Sequence, residues 1–197
     1  MPKSIRQVSD KISAAIIVSA RAHEGQYRKG STTPYVEHPF SVALITQEYI
    51  DDEDVFISAL LHDILEDVNE NKYSRSDMQR DFGTSVLGIV EDVTEPAITE
   101  PTEEAWLERK RGYINHLAEV NDIRPLIVST ADKIHNMSEI IHEYERIGGK
   151  VWDSFNADRK REIWFYESVL EVLKEKIIPQ EAIEDYEEKL AKLKKLR

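Results

Sequence analysis

Apolar residues recur every three or four positions along most of the chain, which is the spacing of one face of an α-helix. The first such segment follows a Ser9 or Asp10 cap and runs to about residue 23, with Ile12, Ala15 and Ile16 on one face. No stretch alternates apolar and polar residues in the manner of a strand. The pattern therefore predicts an all-α fold of about eight to ten helices.

Turn formers and capping residues divide this pattern into elements. The segments 25–34 and 95–102 are rich in turn formers and predict the two long loops. The other helices are expected at 39–49, from a cap at Asp51 or Asp52 through 57–68, from Ser74 or Ser76 to Gly83, at 85–93, from a Thr102 cap over 103–119, from Asp122 with Pro125 to Gly148-Gly149, and at 156–176 and 179–197. We expect the last one, which is heavily charged, to be a solvated terminal helix.

Length and composition limit the function classes. A chain of 197 residues is long enough for one sizeable core, and we expect a single domain over 1–197. The absence of cysteine excludes disulfides, thiolate metal sites and a cysteine nucleophile. A net charge of -12 argues against binding to nucleic acid. Since no segment resembles a signal peptide or a membrane span, we expect a cytoplasmic protein with no membrane contact.

The stretch 57–68, with the sequence ISALLHDILEDV, is the centre of the candidate chemistry. If it is helical, His62 and Glu66 lie one turn apart, and so do Asp63 and Asp67. Burying several carboxylates beside a core is costly, and a bound divalent cation would remove that cost. A solvated acidic helix end is the simpler interpretation of the same residues.

Two further positions carry metal-ligand chemistry beside apolar sequence. His38 directly precedes a proline, which is favourable at the first position of a helix, so it should lie at the helix mouth. Asp132 follows the apolar run 126–131, and His135 and Asn136 can share its helix face. A satisfied polar face at a helix–helix contact would explain the second group equally well.

Taken in order, these residues resemble a known family. The blocks are Arg28-Lys29, Tyr35-x-x-His38-Pro39, His62-Asp63-x-x-Glu66-Asp67 and Asp132-Lys133-Ile134-His135-Asn136-Met137. They resemble the HD-domain metal phosphohydrolases, and among them the hydrolase domains of RelA/SpoT-type alarmone proteins and small stand-alone relatives. The resemblance covers roughly 21–140, and more weakly the segment to about 170. It implies an all-α HD-domain helical bundle that holds one divalent metal, usually Mn²⁺ in this family.

The resemblance also implies roles for single residues. It assigns the metal to His38, His62, Asp63 and Asp132, and the catalytic acidic pair to Glu66 and Asp67. It assigns substrate contacts to Arg28, Lys29, Asn136, Lys133 and, by a looser alignment, Arg159. His135 matches a position that is structural or lies behind the ligands. For Lys110 we expect a solvated helix face rather than a role in the site.

The implied reaction is hydrolysis of a phosphate or pyrophosphate ester. In the form closest to the family, it removes the 3′-diphosphate from ppGpp or pppGpp and gives GDP or GTP and pyrophosphate. Lys133 stands where the family has arginine, and Glu139 stands where it has a threonine near the nucleotide. The acidic Glu139 favours a first alternative, hydrolysis of another nucleotide with release of orthophosphate. A metal-containing nucleotide sensor without turnover is the second alternative, and self-association stays open.

Overall fold

The computed structural model describes residues 8–97 and 102–197, and within these ranges it is helical with no strand. The fold-class prediction is confirmed, while four residues of the loop expected at 95–102 lie outside the described ranges. The helices are α1 Asp10–Ala22, α2 Glu37–Tyr49, α3 Glu53–Leu61, α4 Ile64–Asp67, α5 Arg75–Val93, α6 Glu103–Glu119, α7 Ile123–Ile147, α8 Arg159–Lys174 and α9 Gln180–Lys195. A 3-10 helix, Gly148–Ser154, joins α7 to α8.

Two hydrophobic clusters meet along α7. The first lies among α1, α2, α3 and α5 and takes Ile127, Val128 and Ala131 from α7. The second lies among α6, α8 and α9 and takes Ile134 and Met137 from the same helix. Because α7 is buried on both sides, the polar residues in its middle face the boundary between the clusters. The prediction of a single domain stays a prediction.

Short polar side chains begin most helices, as their positions in the sequence indicate. The side chains of Ser9, Asp52, Thr102 and Asp122 each accept a hydrogen bond from a backbone N–H of the first turn. The prediction that α2 begins at its proline is wrong, because this helix begins two residues earlier, at Glu37. A proline within the first turn costs no helical hydrogen bond, since the first N–H groups have no partner there.

The central stretch 57–68 is not one continuous helix, as the sequence spacing assumed. It breaks at His62 and Asp63, between α3 and α4. The Nδ1 atom of His62 lies 2.8 Å from the carbonyl oxygen of Ala59, the oxygen that the backbone N–H of Asp63 would otherwise use. The side chain therefore competes with the helix and turns both residues into the protein interior.

Two glycines with positive φ interrupt or end helices. Gly83 has φ 89°, outside the helical region, and interrupts α5 where the sequence indicated a helix end. Gly148 ends α7 with φ 65°. The expectation of a solvated last helix is wrong, because α9 buries one face. Ala182 lies in the first cluster, and the second cluster contains Ile183, Tyr186, Leu190 and Leu193. No helix in the described ranges is both long and apolar enough to span a membrane.

Candidate active site

A cavity of about 870 Å³ lies beside the middle of α7. Its walls come from the loop after α1, the α3–α4 break, α6, α7, the 3-10 helix and α8. This volume is within the range of pockets that hold small molecules and cofactors. Every residue that the resemblance assigns to a site, except Arg159, lines this cavity.

The four predicted metal ligands come together at one end of the cavity. α2 supplies His38, the α3–α4 break supplies His62 and Asp63, and α7 supplies Asp132. The Nε2 atom of His38 lies 3.3 Å from Asp63 Oδ2 and 3.2 Å from Asp132 Oδ1. The Nε2 atom of His62 lies 3.0 Å from Asp63 Oδ1 and 3.7 Å from Asp132 Oδ1.

The environment of each histidine ring directs its Nε2 atom toward these carboxylates. Since a carbonyl oxygen can only accept, the contact with Ala59 puts a proton on Nδ1 of His62. Its Nε2 atom is buried and, although it lies 3.0 Å from Asp63 Oδ1, it forms no hydrogen bond of suitable angle with the described residues. The Nδ1 atom of His38 lies 2.8 Å from Nδ1 of His135, whose Nε2 atom lies 3.4 Å from Glu37. This second ring is the kind of outer partner that orients a metal-binding histidine.

The electrostatics of this end favour positive charge at its centre. Burial lowers the pKa of His62, but the carboxylates of Asp63 and Asp132 outweigh burial and hold that pKa well above its usual range. Burial raises the pKa of Asp132, yet Lys133 and the two histidines bring it well below its usual range. The Nζ atom of Lys133 lies 2.5 Å from Asp132 Oδ2.

The donor set fits a divalent cation. Donor atoms of His38, His62 and Asp132 all lie within 4.8 Å of one another, and Asp63 contacts both rings. Two imidazole nitrogens and two carboxylates are ordinary ligands for a first-row divalent metal. The Nε2 atom of His62 is the clearest sign, because it is buried between two carboxylates whose charge needs either a proton or a metal cation beside it.

The predicted acidic pair borders the ligands on α4. The backbone N–H of Glu95 donates a hydrogen bond of 2.7 Å to Glu66 Oε1. Desolvation, together with the carboxylates of Glu95 and Asp63, raises the pKa of Glu66 to about 8, although part of the side chain is exposed. One oxygen of Glu66 is therefore held in place, and the carboxyl group is shifted toward the range of a general base at neutral pH.

Tyr35 connects the acidic pair to the ligands. Its hydroxyl oxygen lies 2.6 Å from Asp63 Oδ2 and 2.8 Å from Asp67 Oδ2. A hydroxyl has one proton, so it can donate to only one of these carboxylates at a time. Desolvation and Asp63 raise the pKa of Asp67, which favours a proton on that second carboxyl group.

A group of buried ions occupies the wall formed by α6. Glu95 Oε1 lies 2.6 Å from Nζ of Lys110, and Glu95 Oε2 lies 2.8 Å from Nε of Arg109. Burial raises the pKa of Glu95, but Lys110, Lys133 and Arg109 outweigh it and lower that pKa. The expectation of a solvated Lys110 is wrong, because the side chain is buried and its Nζ atom lies 4.1 Å from the ring centre of Phe165.

The basic loop between α1 and α2 contributes Arg28 and Lys29. The guanidinium group of Arg28 donates to Glu139 Oε2 at 2.7 Å and to Asn136 Oδ1 at 2.9 Å. The amide nitrogen of Asn136 donates in turn to Asp132 at 2.6 Å. Asn136 therefore joins a predicted ligand to the arginine, and Glu139 already neutralises part of the arginine's charge.

Arg159 is the one predicted substrate contact that the structure does not bring to the cavity. Its guanidinium group donates to the backbone carbonyl of Lys194 at 2.8 Å and lies 6.0 Å from the ring of Trp152. Arg159 is the first residue of α8, and the cavity is lined instead from the next turn of that helix onward. A substrate contact by Arg159 stays a prediction, and its place outside the cavity lining does not support it.

Sequence reasoning assigned no role to several residues of the cavity. Tyr35 was noted only as part of the motif that contains His38, three positions later, and no role was assigned to it. Glu95 and Arg109 carried no local signal, because their pairing depends on the approach of the loop after α5 to α6. Glu162 could have been noticed as an acid one turn before the aromatic pair Phe165 and Tyr166.

Several known proteins are similar to this chain. The family model described as HD domain matches residues 15–163, more than half of the chain. The chain is 37% identical over 123 residues to a guanosine-3′,5′-bis(diphosphate) 3′-pyrophosphohydrolase of Haemophilus influenzae, covering 61% of this chain and 17% of that protein. It is 38% identical over 129 residues to the bifunctional (p)ppGpp synthase/hydrolase SpoT of Escherichia coli, and this match covers 64% of this chain and 18% of that protein.

Solved structures resemble the chain over a larger share of their length. One, described as a metazoan ortholog of SpoT that hydrolyses ppGpp, has a TM-score of 0.76 at 25% identity and covers 95% of this chain and 97% of its own. Another, lmo0812 of Listeria monocytogenes, has a TM-score of 0.65 at 23% identity. The match covers 78% of this chain and 96% of that one, and it shows that the two share a fold. The chain spans less than a fifth of the length of the two curated relatives described above. The match to the HD-domain family model covers more than half of the chain and includes the His62-Asp63 pair, and the chain therefore belongs to the HD-domain family.

Proposed function

We propose that this protein is a metal-dependent phosphohydrolase that removes the 3′-diphosphate from ppGpp or pppGpp. The observation that carries the proposal is the meeting of His38, His62, Asp63 and Asp132 in one cavity with the carboxyl group of Glu66. A set of ligands beside a basic carboxyl group can both hold a cation and activate water. The names of the bacterial relatives and of the metazoan neighbour support the choice of substrate.

We propose Mn²⁺ as the cation, on the strength of the family resemblance and of a ligand set that mixes nitrogen and oxygen. When bound, a divalent cation lowers the pKa of water and polarises a phosphoryl oxygen. His38, His62, Asp63 and Asp132 would hold it. His135 and Tyr35 keep these ligands oriented, through His38 and Asp63 respectively.

The protein's own residues supply the proton transfer and the charge balance. Glu66 accepts a proton from the attacking water while the Glu95 N–H holds its other oxygen. The water oxygen forms a bond to the phosphorus attached to the 3′-oxygen, and the bond from that phosphorus to the 3′-oxygen breaks. The products are pyrophosphate and GDP or GTP, whose 3′-hydroxyl takes up a proton. Lys29 and Lys133 line the cavity and offset the charge that develops on the phosphoryl oxygens.

A second candidate is release of orthophosphate from a different nucleotide. The contact between Glu139 and Arg28 favours it, because the acid neutralises a cation that a polyphosphate would otherwise bind. In this case the ligands and Glu66 keep their roles, and only the substrate changes.

A product assay separates these candidates. Protein purified without chelator and supplied with Mn²⁺ should release pyrophosphate from ppGpp and pppGpp. Orthophosphate from common nucleotides, with ppGpp intact, would support the second candidate. Nucleotide binding with no product from any nucleotide would indicate a sensor and contradict the proposal. Asp63→Asn, purified in the same way, shows whether a contaminating hydrolase causes the activity.

A further inference from the structure

One face of α8 forms a wall of the cavity that supplies none of the predicted metal ligands. Glu162, Phe165 and Tyr166 lie three and four positions apart, so they share this face, and all three line the cavity. Glu162 is 6% exposed and Tyr166 is 5% exposed. Two polar side chains are therefore buried together against an aromatic ring.

These polar groups have no partner within residues 8–97 and 102–197. The Glu162 carboxylate and the Tyr166 hydroxyl form no side-chain hydrogen bond there, and Glu162 forms no ion pair. Lys110 and Arg109 of α6 attract the carboxylate, but both are paired with Glu95. Lys29 attracts it from the loop after α1, again without an ion pair.

A purely structural role does not account for Glu162. A buried carboxylate that stabilises a fold normally has a cation or several hydrogen-bond donors beside it, because removal from water is costly. The α6 ion pairs are complete without this group. Its carboxylate instead borders a cavity large enough for a nucleotide, where a ligand's donor groups would satisfy it.

The chemistry of a carboxylate limits what it can recognise. It repels phosphate and accepts hydrogen bonds from N–H and O–H groups, so it suits the part of a nucleotide that carries no phosphate. Guanine presents two adjacent donors, N1–H and the 2-amino group, which match the two oxygens of one carboxylate. Adenine presents an acceptor at N1 beside its single amino group. The rings of Phe165 and Trp106 line the same cavity and offer flat surfaces for a base.

On the basis of the proposed function, we propose that Glu162 determines base specificity by accepting hydrogen bonds from N1–H and the 2-amino group of guanine. The charges that face it are those of Lys29, Lys110, Arg109 and Glu95. Burial raises the pKa of Glu162 to about 7, above its usual range. Since the ionised form accepts both hydrogen bonds, guanine nucleotides should bind more tightly as the pH rises from 6 to 8.

The test compares ppGpp with its inosine analogue, which keeps N1–H and lacks the 2-amino group. In the unchanged protein, the analogue should have the higher KM. Glu162→Gln keeps the size but sets an amide donor against the donors of guanine, so KM for ppGpp should rise about tenfold while kcat changes little. The variant should lose both the preference over inosine and the rise in affinity between pH 6 and 8.

A matched control lies on the same helix. Glu171 is exposed, so Glu171→Gln should leave KM, inosine discrimination and pH dependence unchanged. Unfolding temperatures of both variants should equal or exceed that of the unchanged protein, because Glu162→Gln removes an unpaired buried charge. A lower unfolding temperature for Glu162→Gln with unaltered KM would assign Glu162 a structural role and overturn the proposal.

Direct binding of GDP, measured by calorimetry, separates this inference from the proposed function. If ppGpp is not hydrolysed but GDP binds and Glu162→Gln weakens that binding, the hydrolase proposal fails and the base contact stands. If ppGpp is hydrolysed and Glu162→Gln binds GDP as before, only the base contact fails. Tighter binding by Glu162→Gln would show that a protonated Glu162 donates to the ligand, which also overturns the proposal. If GDP does not bind at all, the base contact fails, and release of pyrophosphate from ppGpp alone decides the proposed function.

Discussion

The two ends of the cavity differ in how their polar groups are satisfied. At the metal-binding end, each imidazole and carboxylate contacts other polar groups of the chain. Asp132, for example, contacts His38, Lys133 and Asn136. On the α8 wall, Glu162 and Tyr166 are equally buried, but their polar groups form no side-chain hydrogen bond in the described part of the chain.

This difference separates groups set for a reaction from groups available to a ligand. Dense contacts fix the orientation of the ligands before any substrate enters, which is what electrostatic stabilisation of a reaction requires. Unsatisfied groups bind strongly only to a partner that matches their donors and acceptors, which gives selectivity. The metal-binding end would therefore determine the chemistry, and the α8 wall would determine which molecule undergoes it.

The largest effect should come from removing a ligand at the metal-binding end. His62→Ala removes the buried Nε2 atom and leaves Asp63 and Asp132 without one of their cationic partners. We expect about one metal per chain in the unchanged protein, and loss of metal and activity together in the variant. The loss should be at least about 10²-fold, because changes to outer partners of a ligand already cost 10–100-fold. Full metal content in the variant, by elemental analysis, would show that the ligand assignment is wrong.

A substitution of Glu66, which borders the predicted ligands, should separate metal binding from catalysis. Glu66→Gln keeps the size of the side chain but removes its charge and its basic oxygen. We expect kcat to fall by about 10²–10⁴-fold, the usual contribution of a general base, with metal content nearly unchanged. Glu70→Gln, in the exposed turn after α4, is the control and should retain activity. A variant of Glu66 that loses its metal would indicate that Glu66 is itself a ligand.

The smallest effect should come from the ion pair of Arg28 and Glu139, both of which line the cavity. Glu139→Gln removes the negative charge on Arg28 and frees its guanidinium group for a phosphate. A partly buried ion pair of this kind is worth about 1 kcal/mol, so KM for ppGpp should fall about three- to tenfold. Glu145→Gln, exposed on the same helix, should not change KM. A higher KM for Glu139→Gln would mean that the acid positions Arg28 rather than neutralising it.

Local patterns in the sequence were sufficient where the physical cause is also local. The apolar periodicity gave the helical class. The polar residues gave four helix starts, to within one residue for the pairs Ser9 or Asp10 and Asp51 or Asp52 and directly for Thr102 and Asp122, because a cap acts on its own first turn. The break at His62 was missed although its cause is nearby. The break depends on a hydrogen bond from the side chain of His62 to the carbonyl oxygen of Ala59, and the spacing of apolar residues does not predict that bond.

The sequence by itself determined the helical class and, through the order of its motifs, the resemblance to the HD-domain family and a list of candidate ligands. Only the tertiary structure decided which groups meet. It buried Lys110 against Glu95, turned Arg159 away from the cavity and brought Glu162 to its wall. The reason is that ion pairing and burial depend on the packing of α6, α7 and α8 against one another. That packing joins residues far apart in the chain, whereas periodicity and capping act within one or two turns.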